Sequence, residues 1–159
     1  MLKTMKVAIG QDSHRIDYQN KEKKLILGGI EFQEDYSLSG NSDADVVLHA
    51  ITNAISGITC KNILGKISDD MCKNGITDSE EYLKEALTYL KEKIIHISIS
   101  IECQIPKISP KVEEMRKNIA RILQIEENCV GITATTGEGL TEFGKGNGIS
   151  VFACLTVDC

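Results

Sequence analysis

The sequence contains no apolar run near the roughly 20 residues that a membrane-spanning helix needs. Its start, residues 1–6, also lacks the apolar segment of a secretory signal and is too short for a transit peptide. An excess of basic residues is missing as well, since the formal net charge of the 159-residue chain is −5. We therefore expect no membrane span and no general nucleic-acid or anionic-membrane surface.

Cysteine pairs with metal-binding spacing are absent, although the chain has six cysteines. No Cys-x-x-Cys occurs, and Cys103, Cys129 and Cys154 lie in apolar, strand-like runs where free cysteine behaves as a small buried hydrophobe. The pattern favours a reducing, cytoplasmic environment and no cysteine metal site.

The length and composition suit one domain, because 42% of the residues are apolar and 26% are charged. There is no internal repeat and no low-complexity linker. We predict a single domain over residues 1–159.

The periodicity of apolar residues predicts an α/β sandwich of the α+β type, with helices on one face of a mixed, four-stranded-type sheet. The predicted order is β-β-α-α-β-α-β-β. Strands are expected at 5–9, 25–30, 95–105, 129–135 and 149–157, and helices at 41–57, from 78 to about 90, and at 109–123. For the first helix, Ser42 is the expected N-cap, with Asp45 completing a capping box. No period is clear between residues 59 and 78.

Asp12 and His14 stand two positions apart on an extended segment, so their side chains point the same way. His49, on the first predicted helix, would complete an Asp/His/His set, which binds zinc with one coordination position open. Spacing alone also fits a turn aspartate and a surface histidine.

The glycine-rich segment 139–146 matches the first seven positions of a phosphate loop but has Gly146 where Ser or Thr is required. It also leads into a strand and not a helix. We instead expect a backbone-amide cradle for phosphate with Lys145 nearby, or simply a hairpin loop.

Five motifs occur together in order. They are Ile9-Gly-Gln-Asp-Ser-His14, Leu27-Gly-Gly29, Ser42-Asp-Ala-Asp-Val-x-x-His-Ala50, Pro106-Lys107 and Ala134-Thr-Thr-x-Glu-x-Leu140. In combination the chain resembles the 2-C-methyl-D-erythritol 2,4-cyclodiphosphate synthase family of the non-mevalonate isoprenoid pathway.

The resemblance implies a role for each matching residue. Asp12, His14 and His49 would bind Zn²⁺, and Glu138 a second divalent ion such as Mg²⁺ or Mn²⁺. The implied substrate contacts are Asn41, Ser42, Gly65, Asp70, Cys103, Gln104, Pro106, Lys107, Thr135, Thr136, Glu138 and Lys145. Among these, Thr136 and Asn41 would stabilise the transition state, and segment 103–109 would form a cytosine pocket.

The implied reaction is a lyase reaction on a cytidine diphosphate substrate. The 2-phosphate of 4-diphosphocytidyl-2-C-methyl-D-erythritol 2-phosphate attacks the β-phosphorus, CMP leaves, and a cyclic diphosphate forms. Similar proteins are homotrimers with active sites between subunits, so the cytosine pocket would come from a neighbouring chain.

The chain departs from the family pattern at several positions. Asn41 replaces a usual His, Ala44 a usual Gly, and segment 61–71 lacks the usual loop motifs. These departures leave open a non-catalytic module that binds a nucleotide or a terpenoid diphosphate. The open metal position leaves a second alternative, a zinc-dependent phosphate-ester hydrolase that activates water.

Overall fold

The computed structural model describes residues 4–159. Four α-helices lie in this part of the chain: α1 (Val46–Thr59), α2 (Lys66–Lys73), α3 (Ser79–Thr88) and α4 (Val112–Leu123). The strands are β1 (Met5–Asp17), β2 (Leu25–Leu27), β3 (Ile30–Phe32), β4 (Ser37–Leu38), β5 (Lys93–Glu102), β6 (Val130–Thr135) and β7 (Gly148–Asp158). Within residues 4–159, no helix has the length and apolar character needed to cross a bilayer.

The main sheet has five strands in the order β4-β1-β7-β5-β6, and β2 and β3 form a separate hairpin. β5 and β6 are parallel, whereas β1, β7, β5 and β4 pair antiparallel. The α/β class and the mixed sheet are confirmed, but the sheet has five strands where a four-stranded type was expected, and the strand predicted at 25–30 lies outside it in the hairpin. The additional strand, β4, has only two residues, which is too short to leave a periodic signal.

The helices cover one face of the sheet, which the alternation of buried and exposed residues makes clear. Ile97, Ile99 and Ile101 of β5 are fully buried on the helix side. On the opposite face β1 and β7 expose large apolar side chains, with Val7 63% and Ile9 68% exposed. The outer face of the sheet is therefore unusually apolar for a surface.

Residues 25–30 were expected to form one strand, but they form β2 and the start of β3. Gly28 and Gly29 between them have φ values of +62° and +76°, which reverse the chain in a tight hairpin. Both of their amides donate to the buried carboxylate of Asp45, at 2.9 and 2.6 Å. The hairpin is thereby tied to the start of α1.

Helix α1 begins later than expected, at Val46, and its N-cap is Asp45 rather than Ser42. The Asp45 carboxylate accepts from the amide of Leu48, whereas the Ser42 hydroxyl accepts from Ala44 in the turn before the helix. The helix also passes through Gly57, where an end was expected, and stops at Thr59.

The segment between residues 59 and 78 contains α2, a helix of eight residues that the sequence did not reveal. Ser68 fixes its start, because its hydroxyl accepts from the amide of Gly65 at 3.0 Å. The element is too short for a helical period to be recognised.

Gly10 sets the contact between β1 and α1. A side-chain carbon at this position would overlap the carbonyl oxygen of Ala50 and the amide nitrogen of Ala54. Only glycine permits this close approach. The contact brings the first turns of α1, which carry His49, against the strand that carries Asp12 and His14.

Candidate metal centre and active site

Three side chains meet where β1 faces the start of α1. Asp12 and His14 share the inner face of β1 with Gly10, as the alternation of a strand requires. His49 reaches them from α1 and is 8% exposed. Strand and helix together therefore produce the predicted cluster, whose ligand atoms all lie within 4.8 Å of one another.

The spacing of the three ligand atoms fits a tetrahedral metal ion. Asp12 Oδ2 lies 2.9 Å from His14 Nε2 and 3.2 Å from His49 Nδ1, and the two ring nitrogens are 3.3 Å apart. Zinc bonds of about 2.0–2.1 Å in tetrahedral geometry place neighbouring ligands about 3.3 Å apart. Three ligands leave one position free.

Each histidine has its second ring nitrogen engaged elsewhere. His14 Nδ1 lies 2.7 Å from the carbonyl oxygen of Ser39, which can only accept, so this nitrogen carries the proton. His49 Nε2 lies 2.8 Å from the hydroxyl of the buried Ser79. Such outer hydrogen bonds hold the rings of metal-binding histidines in place.

The ionisable groups of the cluster perturb one another. Burial raises the pKa of Asp12, but hydrogen bonds and positive charge from His14 and His49 outweigh it and lower the pKa to about 2. Burial lowers the pKa of His14, yet its hydrogen bond and ion pair with Asp12 raise the net pKa above the usual value. A carboxylate is thus available as a ligand across the physiological pH range.

Asn41 and Ser42 lie in the loop that leads into α1. Asn41 is exposed, and its carbonyl oxygen accepts from the thiol of Cys72 at 3.3 Å. Ser42 is buried with its hydroxyl turned to the amide of Ala44. Both residues therefore stand on the same segment of chain as His49.

Gly65 and Asp70 lie at the start and in the middle of α2. Asp70 forms an ion pair with Lys66 at 2.6 Å, one helical turn earlier. No described contact joins either residue to the Asp12, His14 and His49 cluster.

The remaining predicted site residues form a second group at the ends of β5 and β6. The amide of Cys103 donates to the carbonyl of Thr135, and that of Gln104 to Phe143, each at 3.0 Å. Cys103 is buried, which raises the pKa of its thiol to about 12, and the thiol donates to the carbonyl of Pro106. This phosphate-side group comprises Cys103, Gln104, Pro106, Lys107, Thr135, Thr136, Glu138 and Lys145.

Most side chains that would contact phosphate in this group are exposed. Thr135, Thr136 and Glu138 all face solvent, and Lys145 pairs with Glu142 at 3.1 Å. Glu138 adopts a left-handed conformation, φ +50°, between two glycines that also have positive φ. The hydroxyl oxygens of Thr135 and Thr136 accept from the amides of Gly137 and Glu138, so these amides are used within the loop and the exposed threonine hydroxyls are the groups left to donate to a ligand.

The two groups lie apart in one chain. Strand pairing places Ser13, Ser150, Glu102 and Thr135 in one row across four strands. With strands about 4.8 Å apart, Ser13 and Thr135 are roughly 14 Å from one another. Moreover, Asp12 and His14 face the helices, whereas the row faces the opposite side. A single chain therefore does not assemble all the predicted residues in one pocket.

Ser79 and the carbonyl of Ser39 are parts of the centre that the sequence did not reveal. The pattern at residues 78–81 indicated only a helix start, and a backbone carbonyl leaves no sequence signal. Both reach the histidines through tertiary contacts.

The fold is that of an α/β protein, with a candidate metal site of one carboxylate and two imidazoles between a mixed sheet and its helix layer. The chain matches the model of the YgbB family over residues 5–158. The chain belongs to this family.

Named relatives agree with the match. A 2-C-methyl-D-erythritol 2,4-cyclodiphosphate synthase from Chlamydia muridarum is 50% identical over 155 residues, which cover 96% of this chain and 87% of the relative. The resemblance drawn from the motifs, and the enzyme class with it, are thereby confirmed.

Solved structures extend the likeness to the fold. The bifunctional IspDF from Campylobacter jejuni has a TM-score of 0.88 at 27% identity, and the match covers 99% of this chain but 43% of that protein. IspF from Plasmodium falciparum, solved as a CDP complex, has a TM-score of 0.81 at 28% identity over 99% of this chain and 98% of that one.

Proposed function

We propose that this chain converts 4-diphosphocytidyl-2-C-methyl-D-erythritol 2-phosphate into 2-C-methyl-D-erythritol 2,4-cyclodiphosphate and CMP, a step of isoprenoid precursor biosynthesis. The observation that carries the proposal is the Asp12, His14 and His49 cluster, at tetrahedral spacing, in a chain half identical to a named synthase. The CDP complex of a protein with the same fold supports a cytidine diphosphate substrate.

The proposed reaction exchanges one phosphorus–oxygen bond for another. An oxygen of the 2-phosphate bonds to the β-phosphorus, while the bond from that phosphorus to the oxygen shared with the α-phosphate breaks. The electron pair leaves on CMP, and no water enters the product. The attacking group is already an anion, so the protein has to position it and offset charge rather than supply a base.

Divalent ions are the proposed cofactors. Asp12, His14 and His49 would hold Zn²⁺, because a carboxylate and two imidazoles at this spacing suit it. Glu138 would hold Mg²⁺ or Mn²⁺, and phosphate oxygens would supply further ligands, as is usual for Mg²⁺. When bound, the ions would neutralise negative charge on the phosphates.

The other residues would bind and orient the substrate. Thr135, Thr136 and Ser42 offer hydroxyl donors, and Asn41 offers a neutral amide donor where the family has a histidine. Gly65 and Asp70 would meet the erythritol or ribose, and Lys145 the phosphates. Segment 103–107 would form the cytosine pocket from Cys103, Gln104, Pro106 and Lys107.

The division of the site between two sheet edges supports a homotrimer. β6, beside the phosphate-side group, is one edge of the sheet, and β1 lies next to the other. A second copy packed against the first would bring the two groups together. Repeated around a threefold axis, such an interface closes a ring with three equivalent sites.

The outer sheet face supplies a surface for this association. Met5, Val7, Ile9 and Phe152 are each more than half exposed there. Large apolar patches of this kind mark association surfaces in soluble proteins.

Incubation of the purified protein with the proposed substrate, Zn²⁺ and Mg²⁺ tests the function. We expect CMP and a cyclic diphosphate in equal amounts, which phosphorus NMR distinguishes from a linear product. A linear product would instead indicate a hydrolase. Tight CDP binding without turnover would indicate a non-catalytic module.

A further inference from the structure

Ser79 lies between a metal-ligand histidine and a carboxylate. It is the first residue of α3 and is fully buried. Its hydroxyl oxygen is 2.8 Å from His49 Nε2 and also hydrogen-bonds the carboxylate of Asp43. The Ser79 amide donates to the other Asp43 oxygen at 3.0 Å. Serine, histidine and carboxylate thus form one connected chain of hydrogen bonds.

The chemistry of the partners fixes the direction of these bonds. Asp43 also accepts from the amide of Asp45, so both of its oxygens are occupied as acceptors. A carboxylate has no proton to give, and Ser79 must therefore donate its only hydroxyl proton to Asp43. The serine oxygen is left with lone pairs, which can only accept from a protonated His49 Nε2. His49 Nδ1 faces the Asp12 carboxylate at 3.2 Å and His14 Nε2 at 3.3 Å, which are both acceptors, so a proton on this nitrogen is the one that a metal ion would displace.

We propose that Ser79, held by Asp43, is a positioning residue that keeps the proton on His49 Nε2, so that Nδ1 is the nitrogen that binds the metal. The inference rests on the metal centre of the proposed function and goes beyond its ligands. A neutral imidazole exposes only one lone pair, so the tautomer decides which nitrogen can bind.

The two histidine ligands are fixed by different means. A backbone carbonyl, that of Ser39, sets the proton position of His14, and no side-chain substitution removes it. His49 depends on a side-chain hydroxyl. A substitution at Ser79 therefore disturbs one ligand and leaves the other, and losses of outer hydrogen bonds of this kind cost roughly 10- to 100-fold in metal affinity.

The experiment uses Ser79→Ala and a matched control, Ser56→Ala. Ser56 is a buried serine of α1 whose hydroxyl has no hydrogen-bond partner. Its replacement by alanine therefore removes the same atom without breaking the hydrogen bonds that join Asp43, Ser79 and His49. Cobalt(II) titration of the metal-free proteins, followed by visible absorption, gives the affinities. We expect a 10- to 100-fold weaker affinity for Ser79→Ala and an unchanged affinity for Ser56→Ala.

Nitrogen NMR of histidine-labelled, zinc-loaded protein shows which ring nitrogen of each histidine carries a proton. In the wild type His49 should be protonated on Nε2 and bound to zinc through Nδ1, and its Nε2 proton should exchange slowly with solvent, whereas in Ser79→Ala that proton should exchange faster and His14 should be unchanged. Ser79→Thr retains the hydroxyl and should restore both the slow exchange and the cobalt affinity.

A zinc-loaded wild-type His49 without a proton on Nε2 would overturn the proposal, and this measurement needs no variant to fold. Wild-type cobalt affinity and a wild-type exchange rate in a folded Ser79→Ala protein would overturn it as well. Neither measurement involves turnover. A protein that binds cobalt and shows the expected tautomer but releases no CMP would refute the proposed function alone.

Discussion

The metal-ligand group, which consists of Asp12, His14 and His49, differs from the phosphate-side group in how much of its surroundings a single chain supplies. Asp12, His14 and His49 are packed between β1 and α1, and both histidines have their outer nitrogens bonded. Thr135, Thr136 and Glu138 are exposed on a glycine-rich loop. One group is held by the interior of the protein, whereas the other is presented on its surface.

The difference indicates which part of the proposed active site has to be rigid. Metal ligands have to converge within tenths of an ångström, which buried strand and helix positions achieve. Phosphate contacts have to admit and release a substrate, and a surface loop with exposed hydroxyl donors suits that task. The exposed phosphate-side group forms an enclosed pocket only if another copy of the chain packs against it.

The largest expected effects are on cobalt binding and CMP release, and they distinguish the metal-ligand group from the phosphate-side group. His49→Ala should remove cobalt binding and CMP release together, because a ligand is lost. Thr136→Ala should leave cobalt binding intact and lower kcat roughly 10²- to 10³-fold, the usual cost of one transition-state hydrogen-bond donor. Cobalt titration and a CMP assay on the same preparations measure both quantities.

Circular dichroism of the two variants provides the folding control. CMP release at the wild-type rate by His49→Ala would refute the metal assignment. Loss of cobalt binding in Thr136→Ala would show that the groups are not independent.

Mixing the two inactive variants tests whether the groups of one site come from different chains. In the proposed trimers, co-assembled from equal amounts, a site is intact when its metal-ligand group comes from Thr136→Ala and its phosphate-side group from His49→Ala. Random assembly makes about one quarter of the sites intact, so about one quarter of wild-type activity should return. Activity no greater than that of the separate variants would place both groups in the same chain.

The smallest expected effect concerns strain in the loop next to the metal ligands. Ala44 has φ +56°, in the region where an L-residue costs about 1–2 kcal/mol and glycine does not. Ala44→Gly should relieve this cost, partly offset by the greater entropy of the unfolded chain, and stabilise the protein by roughly 0.5–1 kcal/mol.

Urea unfolding measures this gain, and cobalt affinity should stay unchanged. Ala50→Gly, in the middle of α1 where φ is helical, is the matched control and should destabilise by about 1 kcal/mol or more. Destabilisation by Ala44→Gly would show that the strain is absent or already compensated.

The sequence was most informative where local geometry decides the outcome. The alternation of a strand was sufficient to place Asp12 and His14 on one side, and the helical period placed His49 on α1. The strands β5, β6 and β7 were visible from their apolar patterns. The family resemblance rested on short motifs whose order along the chain is preserved.

Tertiary contacts decided what the sequence could not predict. Asp45 caps α1 in preference to Ser42 because the same carboxylate also receives the amides of Gly28 and Gly29. The role of Ser79 depends on α3 packing beside α1, and β4 exists only because β1 offers an open edge. No regular spacing of residues in a single sequence predicts these contacts.

The pairing of β1 with β7 has a consequence for how the protein forms. These strands come from opposite ends of the described chain, and Asp12 lies opposite Val151 in their ladder. Contacts so distant in sequence slow the folding of a domain. During synthesis, β1 gains this neighbour only after residue 151 has emerged. The contact between β1 and α1, which brings Asp12, His14 and His49 together, needs only the first 59 residues, so the cluster and the sheet behind it depend on opposite ends of the chain.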